Sequence, residues 1–330
     1  MDNGGAIATK GFNFQKTAAI YTIINYMENE SFYLIPEADE DFQFGSDEIK
    51  YFIQCKTTKG LSISALMKRD KNKSGSSIIE KNLIPGEEED NRWIFITSWK
   101  TDNNNKLDKT NSHAIFYPLL KFSEEQKKRI VSQLNLTSSD IERLKKQRLF
   151  LPHFIGKAED NLRYLNGLLL EKVNVSVDTS ILTAFNSELW TLIDQKSELF
   201  ITDTSDISSY EKKIISYNHI QQFLKKVKRQ SYFEKILDKL NLSSIALLHV
   251  KLAKKKIPMQ YELILEKVFR KVATENKVKL YSTDKEVVDY IRNVINEITE
   301  KKFEDTEEIA IAVECYSQIL LEIEEQRHEI

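Results

Sequence analysis

The sequence predicts an α/β domain, with a mixed sheet flanked by helices, followed by an all-α region. Within roughly the first 120 residues, short stretches rich in aromatic and β-branched residues recur between polar segments, which is typical of strands. From Ser123 onward, apolar residues recur at helical spacing almost without interruption. A chain of 330 residues suits two domains. We therefore expect one domain over residues 1–175 and a second, helical domain over residues 176–330.

The N-terminal domain opens with a helix, predicted over residues 9–28 because its apolar residues recur on one helical face. Strands are predicted at 31–36, 41–44, 51–56 and 93–98. A short helix is predicted to begin at Ile63. The polar stretches 70–91 and 101–112 are rich in turn-forming residues and are predicted to be loops.

The C-terminal part is predicted to be a succession of helices. They are expected at 123–134, 139–149, 158–172, 179–196, 208–240, 243–256, 259–276, 284–302 and 306–326. Two of the helix starts carry capping boxes, Ser123 with Gln126 and Thr283 with Glu286. We place the domain boundary at 174–178, just before one of these helix starts.

Composition and charge narrow the function classes. An apolar fraction of 41% is ample for a buried core, which excludes a chain that is disordered throughout. The formal net charge of −2 argues against a uniformly basic nucleic-acid-binding protein. The charge is uneven, because residues 211–280 carry 17 Lys and Arg against 6 Asp and Glu, whereas residues 284–330 carry 5 against 14. This asymmetry is compatible with a basic DNA-facing surface, with a contact between opposite charges, or with solvated helix faces.

Cysteine usage and hydropathy predict the compartment. The two cysteines, Cys55 and Cys315, have no metal-type spacing, which is typical of a protein in a reducing compartment. No stretch reaches the apolar length of a membrane span, and no basic region followed by an apolar core opens the sequence. We expect a cytoplasmic protein that has no membrane segment.

One short pattern carries chemistry, since the histidines lack metal-ligand spacing and neither a nucleophile elbow nor a P-loop is present. Residues 51–56 alternate as a strand, which places Gln54 and Lys56 on one face. A hairpin turn centred near residues 47 and 48 would place Asp41 opposite Gln54, with Cβ atoms roughly 4.5–5.5 Å apart. A carboxylate, an amide oxygen and an ammonium group would then converge, and such a set can hold a divalent metal and activate a water.

These residues stand in a pattern that resembles the PD-(D/E)XK nuclease superfamily, with Gln54 in the variable acidic position. Residues 5–60 resemble more closely the endonuclease domain of the CD-NTase-associated effector nuclease of bacterial antiphage defence, a domain that also occurs as the nuclease subunit of Lamassu-type systems. The matching segments are Gly11–Gln15, Glu37–Asp41 and Ile53–Lys56. The resemblance implies a restriction-endonuclease-like core, and the usual nucleotide-sensing domain is not evident after it.

The hairpin and the resemblance assign the chemistry to Asp41, Gln54 and Lys56. Asp41 and Gln54 are expected to hold Mg²⁺ or Mn²⁺. Lys56 is expected to orient or deprotonate the attacking water and to stabilise charge on the phosphate. Gln54 is neutral, so the metal should bind more weakly than between two acids, and Glu37 is a candidate to restore charge. The resemblance further implies that Gln15, on the first helix, faces the site.

The acidic segment leaves two points open. Asp39 and Asp41 have the same strand parity, so either can be the metal-binding carboxylate, and the position of Asp41 across from Gln54 favours Asp41. Glu40 points away from the site if the strand is regular.

Neighbouring residues have simpler expected roles. Phe12 and Phe14 are expected to pack in the core, and Cys55 to be a small core residue on the face opposite the site. Lys59 and Lys68 could contact phosphates, although an ordinary surface position is the simpler interpretation.

The function implied is a metal-dependent endonuclease that cuts double-stranded DNA as an effector of bacterial antiphage defence. The helical domain is then expected to serve oligomerisation or partner binding, with an SMC-like ATPase and a small accessory subunit that hold the nuclease inactive until release or homo-oligomerisation. The alternative is a catalytically inactive scaffold or partner-binding protein with a nuclease fold, because Gln in place of an acid weakens a metal site. A nuclease that acts on RNA would use the same metal chemistry.

Overall fold

The structure, a computed structural model, describes residues 4–69, 75–110, 115–154, 157–173, 179–199 and 207–328. The described residues form two compact units. Unit 1 takes them from Met1–Asn174 and Thr183–Gln221, and unit 2 takes them from Val175–Leu182 and Gln222–Ile330. The predicted boundary at 174–178 lies outside the described residues, so the division at residue 175 stays a prediction.

Among the described residues, eight strands form one sheet in unit 1. They are β1 (Tyr33–Pro36), β2 (Phe42–Ser46), β3 (Ile49–Lys56), β4 (Asn91–Ile96), β5 (Asp108–Thr110), β6 (Leu119–Lys121), β7 (Gln147–Phe150) and β8 (Ile215–Ser216). Their order across the sheet is β5-β6-β7-β4-β3-β2-β1-β8. The β3–β4 and β4–β7 pairs are parallel and the other pairs are antiparallel, which confirms the predicted mixed sheet.

Helix α1 (Gly4–Tyr26) lies on one face of this sheet, against β1 and β3. It confirms the helix predicted over 9–28, although it begins earlier, at Gly4. Its second half is almost entirely buried because aromatic residues of the sheet pack on one side and helix α6 (Ala158–Val173) packs on another. The ring of Tyr21, for example, contacts Phe116 and Phe154.

Four helices share the second core of unit 1 with apolar residues of β4 and β7: α2 (Ile63–Met67), α3 (Ile78–Leu83), α4 (Glu124–Leu134) and α5 (Ser138–Lys146). The prediction of a loop over 70–91 was wrong where α3 forms. Ser77 and Glu80 make a capping box at the start of α3, and Arg69 pairs with Glu80 (2.5 Å). The polar residues Ser77 and Glu80 favoured a loop prediction, although they cap the start of this short helix.

A second prediction was wrong at strand β7, because the helix predicted over 139–149 includes residues 147–149, which form this strand. Leu149 and Phe150 are consecutive in a central strand, so their side chains lie on opposite faces, and both are buried. Such a short apolar run cannot be told from a helix segment by periodicity alone. The predicted loop over 101–112 likewise contains strand β5, and residues 111 and 112 lie outside the described part of the chain.

The single helix predicted over 208–240 was also wrong. The chain forms α8 (Ile207–Lys213), β8 and α9 (Tyr217–Lys239) in its place. Strand β8 pairs antiparallel with β1, which sets the buried Ile215 opposite Leu34. Pairing at the edge of the sheet therefore overrides the helical periodicity of this segment.

The other predicted helices are confirmed in position. They are α7 (Thr179–Ser197), α10 (Ser244–Lys256), α11 (Glu262–Glu275), α12 (Asp284–Ile298) and α13 (Asp305–His328). The capping boxes Ser123–Gln126 and Thr283–Glu286 are both present. A π-helical segment, Ile257–Tyr261, joins α10 to α11 and contains Pro258.

The uneven charge of the C-terminal half forms ion pairs within unit 2. Cations of the basic segment meet carboxylates of the acidic segment in a set that includes Lys225–Glu325 (2.9 Å), Lys228–Glu324 (3.0 Å), Arg229–Glu314 (2.9 Å), Lys239–Asp284 (2.6 Å) and Lys254–Glu314 (3.1 Å). Glu314 is buried and receives two of these cations. Of the three interpretations of the charge asymmetry, contact between opposite charges is therefore the one that these residues adopt.

Within the described residues, no helix combines the length and the apolar character that crossing a membrane requires.

Candidate functional site

The β2–β3 hairpin has the predicted register. Asp47 and Glu48 both have positive φ (51° and 68°), as a two-residue hairpin turn requires. Asn29 and Ser31 side chains hydrogen-bond the Asp47 carboxylate and hold this turn. Phe42 pairs with Ile53, so Asp41, the residue just before β2, comes opposite Gln54.

Asp41 is fixed at the end of the hairpin by the backbone of β3. Its Oδ2 accepts a hydrogen bond from the Cys55 N–H at 2.6 Å. The backbone carbonyl of Asp41 accepts from the Glu37 N–H (3.0 Å), which closes the acidic loop, residues 37–41. The carboxylate is therefore held at the edge of the strand that carries Gln54 and Lys56.

Gln54 is a buried amide with an unsatisfied oxygen. Its side chain is 4% exposed, and Oε1 has no hydrogen-bond partner among the described residues. Leaving such a buried acceptor unpaired costs about 1–3 kcal/mol. A divalent cation is a natural partner for an amide oxygen beside a carboxylate, so the donor set fits the predicted metal.

Glu40 also belongs to the site, which contradicts the expectation that it points away. Asn82 Nδ2 donates to its Oε1 (3.2 Å), the Gln54 amide hydrogen-bonds the same carboxylate, and Lys56 lies close enough to act on its charge. Burial, and then the nearby charge of Asp41, raise the pKa of Glu40 to about 7, against the opposing effect of these donors.

Strand parity failed for Glu40 because the acidic loop is not a strand. Strand β1 ends at Pro36 and β2 begins at Phe42, and Glu37 has a positive φ of 47°. Alternation of side chains holds only within extended backbone. Pro36, the last residue of the strand predicted at 31–36, was the available signal that side-chain alternation could not be extended into the loop.

Lys56 is half-buried at the carboxyl end of β3. Its backbone carbonyl accepts from the Thr97 N–H (3.2 Å), just beyond the end of the parallel neighbour β4. The carboxyl ends of adjacent parallel strands are where α/β folds place ligands. Cys55, between Gln54 and Lys56, is buried as expected, and burial raises the pKa of its thiol well above the ordinary value.

An acidic cleft of about 690 Å³ opens beside Asp41. Glu37 and Gln15 line it together with Asp41, and the role of Gln15 in the site stays a prediction. Phe12 also lines the cleft and is 54% exposed, so the expectation that it packs in the core was wrong. Phe14 is buried, as expected.

The far wall of the acidic cleft comes from residues beyond position 175. Asp194 and Glu198 line it from the end of α7, and Asp194 forms an ion pair with Lys16 of α1. Asp39, the alternative metal-binding carboxylate, is exposed and accepts a hydrogen bond from the Tyr210 hydroxyl (3.3 Å). Asp39 does not line the cleft with Asp41.

Lys213 is a cation beside the acidic loop that was not predicted as a site residue, because it lies in the segment predicted to be one long helix. Lys213 is 2% exposed, and its Nζ donates to the Glu37 backbone carbonyl at 2.5 Å. Burial lowers the pKa of Lys213, and the charge of Glu37 opposes this effect. The ammonium therefore pins the acidic loop from the side of α8.

Across the described residues, no three His, Cys, Asp or Glu side chains form a group that could hold a metal. Any ion at the site would take one or two carboxylates with an amide oxygen and would keep several waters. That is the coordination usual for Mg²⁺.

Comparisons with known proteins are consistent with this geometry. A family model described as Cap4, dsDNA endonuclease domain, matches residues 3–177. The chain is 34% identical over 321 residues to the Lamassu protein LmuA of Bacillus sp. (strain NCIM 5461 / CCTCC AB 2011126 / NIO-1130). That alignment covers 97% of this chain and 98% of the relative.

Proposed function

Because the chain belongs to the Cap4 family of dsDNA endonucleases, we propose that it cuts double-stranded DNA in a metal-dependent reaction at Asp41, Gln54 and Lys56. The observation that carries this assignment is the buried Gln54 oxygen, which has no partner among the described residues and lies across the hairpin from a fixed carboxylate. Asp41 and Gln54 would hold Mg²⁺ or Mn²⁺, with Glu40 as a nearby second carboxylate. Bound metal would supply Lewis-acid stabilisation of the charge that develops on the phosphate.

The protein side chains would then position the reactants. Asp41 cannot turn away, because the Cys55 N–H holds one of its oxygens. Lys56, at the end of β3, would orient the attacking water and neutralise phosphate charge through its ammonium group. Gln15 and Glu37, which line the cleft with Asp41, would hold the waters around the metal.

Cleavage of supercoiled plasmid with Mg²⁺ or Mn²⁺ tests the assignment. Asp41→Asn and Lys56→Ala should each lower the rate by at least a hundredfold, as expected for loss of a charged transition-state contact. Lys59→Ala, three residues further along, is the matched control and should cut like the wild type. Equal cutting by wild type and Asp41→Asn would refute the site, and an RNA substrate in the same assay decides between the two polymers.

We further propose that the protein is a nuclease effector of bacterial antiphage defence in a Lamassu-type complex. The relative that aligns over nearly the whole chain carries the name Lamassu protein LmuA. In this proposal a cytoplasmic complex with an SMC-like ATPase and a small accessory subunit restrains the nuclease until release or homo-oligomerisation activates it. The plasmid assay should therefore be run with and without the products of the neighbouring genes.

An exposed row of apolar side chains in unit 2 supports a role in binding another subunit. It runs along α10, the π-helical segment and α11, and its members are Ile245, Leu248, Leu252, Met259 and Leu263, which are 48% to 89% exposed. We call these five residues the apolar row. Several large apolar side chains exposed within one stretch of helix are typical of protein–protein contacts.

The alternative, an inactive scaffold with a nuclease fold, draws on the neutral Gln54 in an acidic position and on the sparse ligand set. A thermal unfolding series separates the two functions. An enzyme site should raise the melting temperature as Mg²⁺ or Mn²⁺ is added, and Asp41→Asn should abolish the rise. A scaffold should show no metal-dependent rise in either protein.

A further inference from the structure

A second cleft of about 710 Å³ lies next to the acidic cleft in unit 1. The two clefts share Thr9 and Asn13 of α1 in their linings, so they are adjacent along this helix. The second cleft also reaches Thr57, the residue after Lys56, and Thr97, whose N–H donates to the Lys56 carbonyl. It therefore adjoins the end of β3 that carries the proposed catalytic lysine.

The second cleft has the opposite charge to the first. Its lining includes two lysines, Lys10 and Lys157, and no carboxylate. Within the described part of the chain neither ammonium forms an ion pair, and both side chains are exposed. The acidic cleft, in contrast, is lined by four carboxylates and two lysines.

The remaining polar groups of the second cleft suit an anion. Hydroxyl groups of Thr9, Thr57 and Thr97 and the amide of Asn13 line it beside the two ammonium groups. Ammonium, hydroxyl and amide groups are the side-chain donors that proteins direct at phosphate oxygens. No carboxylate is among the described residues that line this cleft.

We propose that this basic cleft binds the phosphodiester backbone of the DNA substrate beside the scissile bond, with Lys10 and Lys157 as its phosphate contacts. The proposal deepens the proposed nuclease function and rests on it. Metal would bind beside Asp41, which lines the acidic cleft, while backbone phosphates would occupy the basic cleft, and both clefts are lined by residues of α1. Lys10 and Lys157 hold the duplex in register with Lys56 and take no part in the reaction itself.

The test is DNA binding by the full chain as a function of salt. Affinity for a labelled duplex is measured in EDTA, where no metal is present for cleavage, at NaCl concentrations from 50 to 200 mM. Each lysine–phosphate contact contributes a slope of about −0.9 to log K against log salt. Lys10→Ala/Lys157→Ala should reduce the slope by about 2, so the advantage of the wild type should shrink about tenfold over this range.

The matched control is Lys128→Ala/Lys146→Ala, on α4 and α5, which removes the same total charge from two exposed lysines outside the basic cleft. It should keep the wild-type slope. All four lysines are exposed, so both double variants should melt like the wild type. Equal slopes for the wild type and the Lys10/Lys157 variant, or equal losses in both double variants, would overturn the proposal.

Cleavage kinetics test the basic cleft separately from the proposed nuclease function on which it rests. With Mg²⁺ the Lys10/Lys157 variant should show a raised KM and an unchanged kcat, since its contacts are made equally in the ground and transition states. A lowered kcat with KM unchanged would contradict a backbone-binding role. If the wild type cut no DNA even with the products of the neighbouring genes, the nuclease assignment would fail, and the salt series in EDTA would still decide whether the cleft binds DNA.

Discussion

At the scale of single residues, the buried Gln54 amide shows how the site is prepared for a ligand. A well-packed apolar side chain at this position would avoid an unsatisfied oxygen, which costs about 1–3 kcal/mol. The chain tolerates this cost in the part of β3, residues 51–55, whose side chains are all buried. Asp41 shows the same preparation, because its hydrogen bond to Cys55 fixes the carboxylate before any metal binds.

Gln54→Met tests this interpretation by separating stability from metal binding. The substitution fills a similar volume and removes both the unpaired oxygen and the hydrogen bond from the amide to Glu40, so the free energy of unfolding in EDTA should change little. The rise in melting temperature on adding Mn²⁺ should disappear. Gln43→Met, on the neighbouring strand β2, is the matched control and should keep that rise. A metal-induced rise that persists in Gln54→Met would show that the amide oxygen is not a ligand.

Glu40 makes stability depend on pH with a definite sign. Its pKa is near the ordinary 4.5 when the chain is unfolded and about 7 when it is folded, so between these values the folded protein binds the extra proton. The free energy of unfolding should therefore fall as pH rises through this window, by about 2–3 kcal/mol between pH 5 and 8. Glu40→Gln removes this contribution and should become more stable relative to the wild type at pH 8 than at pH 5.

Urea unfolding in EDTA at the two pH values measures the effect. Glu89→Gln replaces an exposed glutamate of the same unit and should follow the wild-type pH dependence. Parallel pH curves for Glu40→Gln and the wild type would mean that the carboxyl is not buried as described.

The position of Asp41 could be predicted from the sequence because hairpin register is local. The environment of Glu40 could not, because it depends on Asn82 in the distant helix α3, and no local sequence pattern indicates that contact.

At the scale of elements, the segment from α8 to β8 secures the acidic loop. Strand β8 pairs with β1, which leads into the loop, Lys213 binds the Glu37 carbonyl, and Tyr210 binds Asp39. This segment lies beyond residue 177, where the family match ends. The nuclease unit of this chain therefore includes residues that the matched domain does not contain.

Lys213→Met should loosen the acidic loop without unfolding unit 1. The variant loses the hydrogen bond from Lys213 to the Glu37 carbonyl and gains an apolar group in a buried position, so global stability should change little. Hydrogen exchange of peptides covering residues 37–41 should quicken, and the Mn²⁺ concentration for half-maximal cleavage should rise at least threefold. The control is Lys212→Met, at the exposed neighbouring lysine, which should change neither quantity. Unchanged hydrogen exchange in Lys213→Met would show that Lys213 does not hold the acidic loop.

Prediction from sequence succeeded for elements whose pattern is local and failed for those defined by distant partners. Helix α12 has a capping box and a strong amphipathic pattern, and its predicted start is confirmed. Strands β7 and β8 have too few residues to show alternation, and each owes its conformation to a neighbour far along the chain, β4 in one case and β1 in the other. The hydrophobic periodicity of one sequence reports local structure only, so it cannot indicate which distant strand a segment will pair with.

At the scale of the whole molecule, unit 2 satisfies its charges internally and leaves apolar surface free. The basic segment, residues 211–280, and the acidic segment, residues 284–330, contact each other through ion pairs such as Arg229–Glu314 and Lys228–Glu324. Its surface is therefore a weaker candidate for DNA binding than the composition of residues 211–280 alone indicates. The ion pairs of unit 2 leave the apolar row unexplained, and the subunit contact proposed above would account for it.

Leu248→Asp/Met259→Asp should abolish that assembly. Both side chains are more than half exposed, so the charges should be tolerated by the isolated chain, whereas each would have to be desolvated in an apolar contact. Leu280→Asp, at an equally exposed leucine outside the row, is the matched control. Light scattering gives the mass of the purified chain, and co-purification with tagged products of the neighbouring genes reports partner binding. If the double variant has a lower mass in light scattering but still co-purifies, a second copy of this chain contacts the apolar row. If only co-purification is lost, a partner subunit contacts it. If neither changes, the apolar row is not an interface.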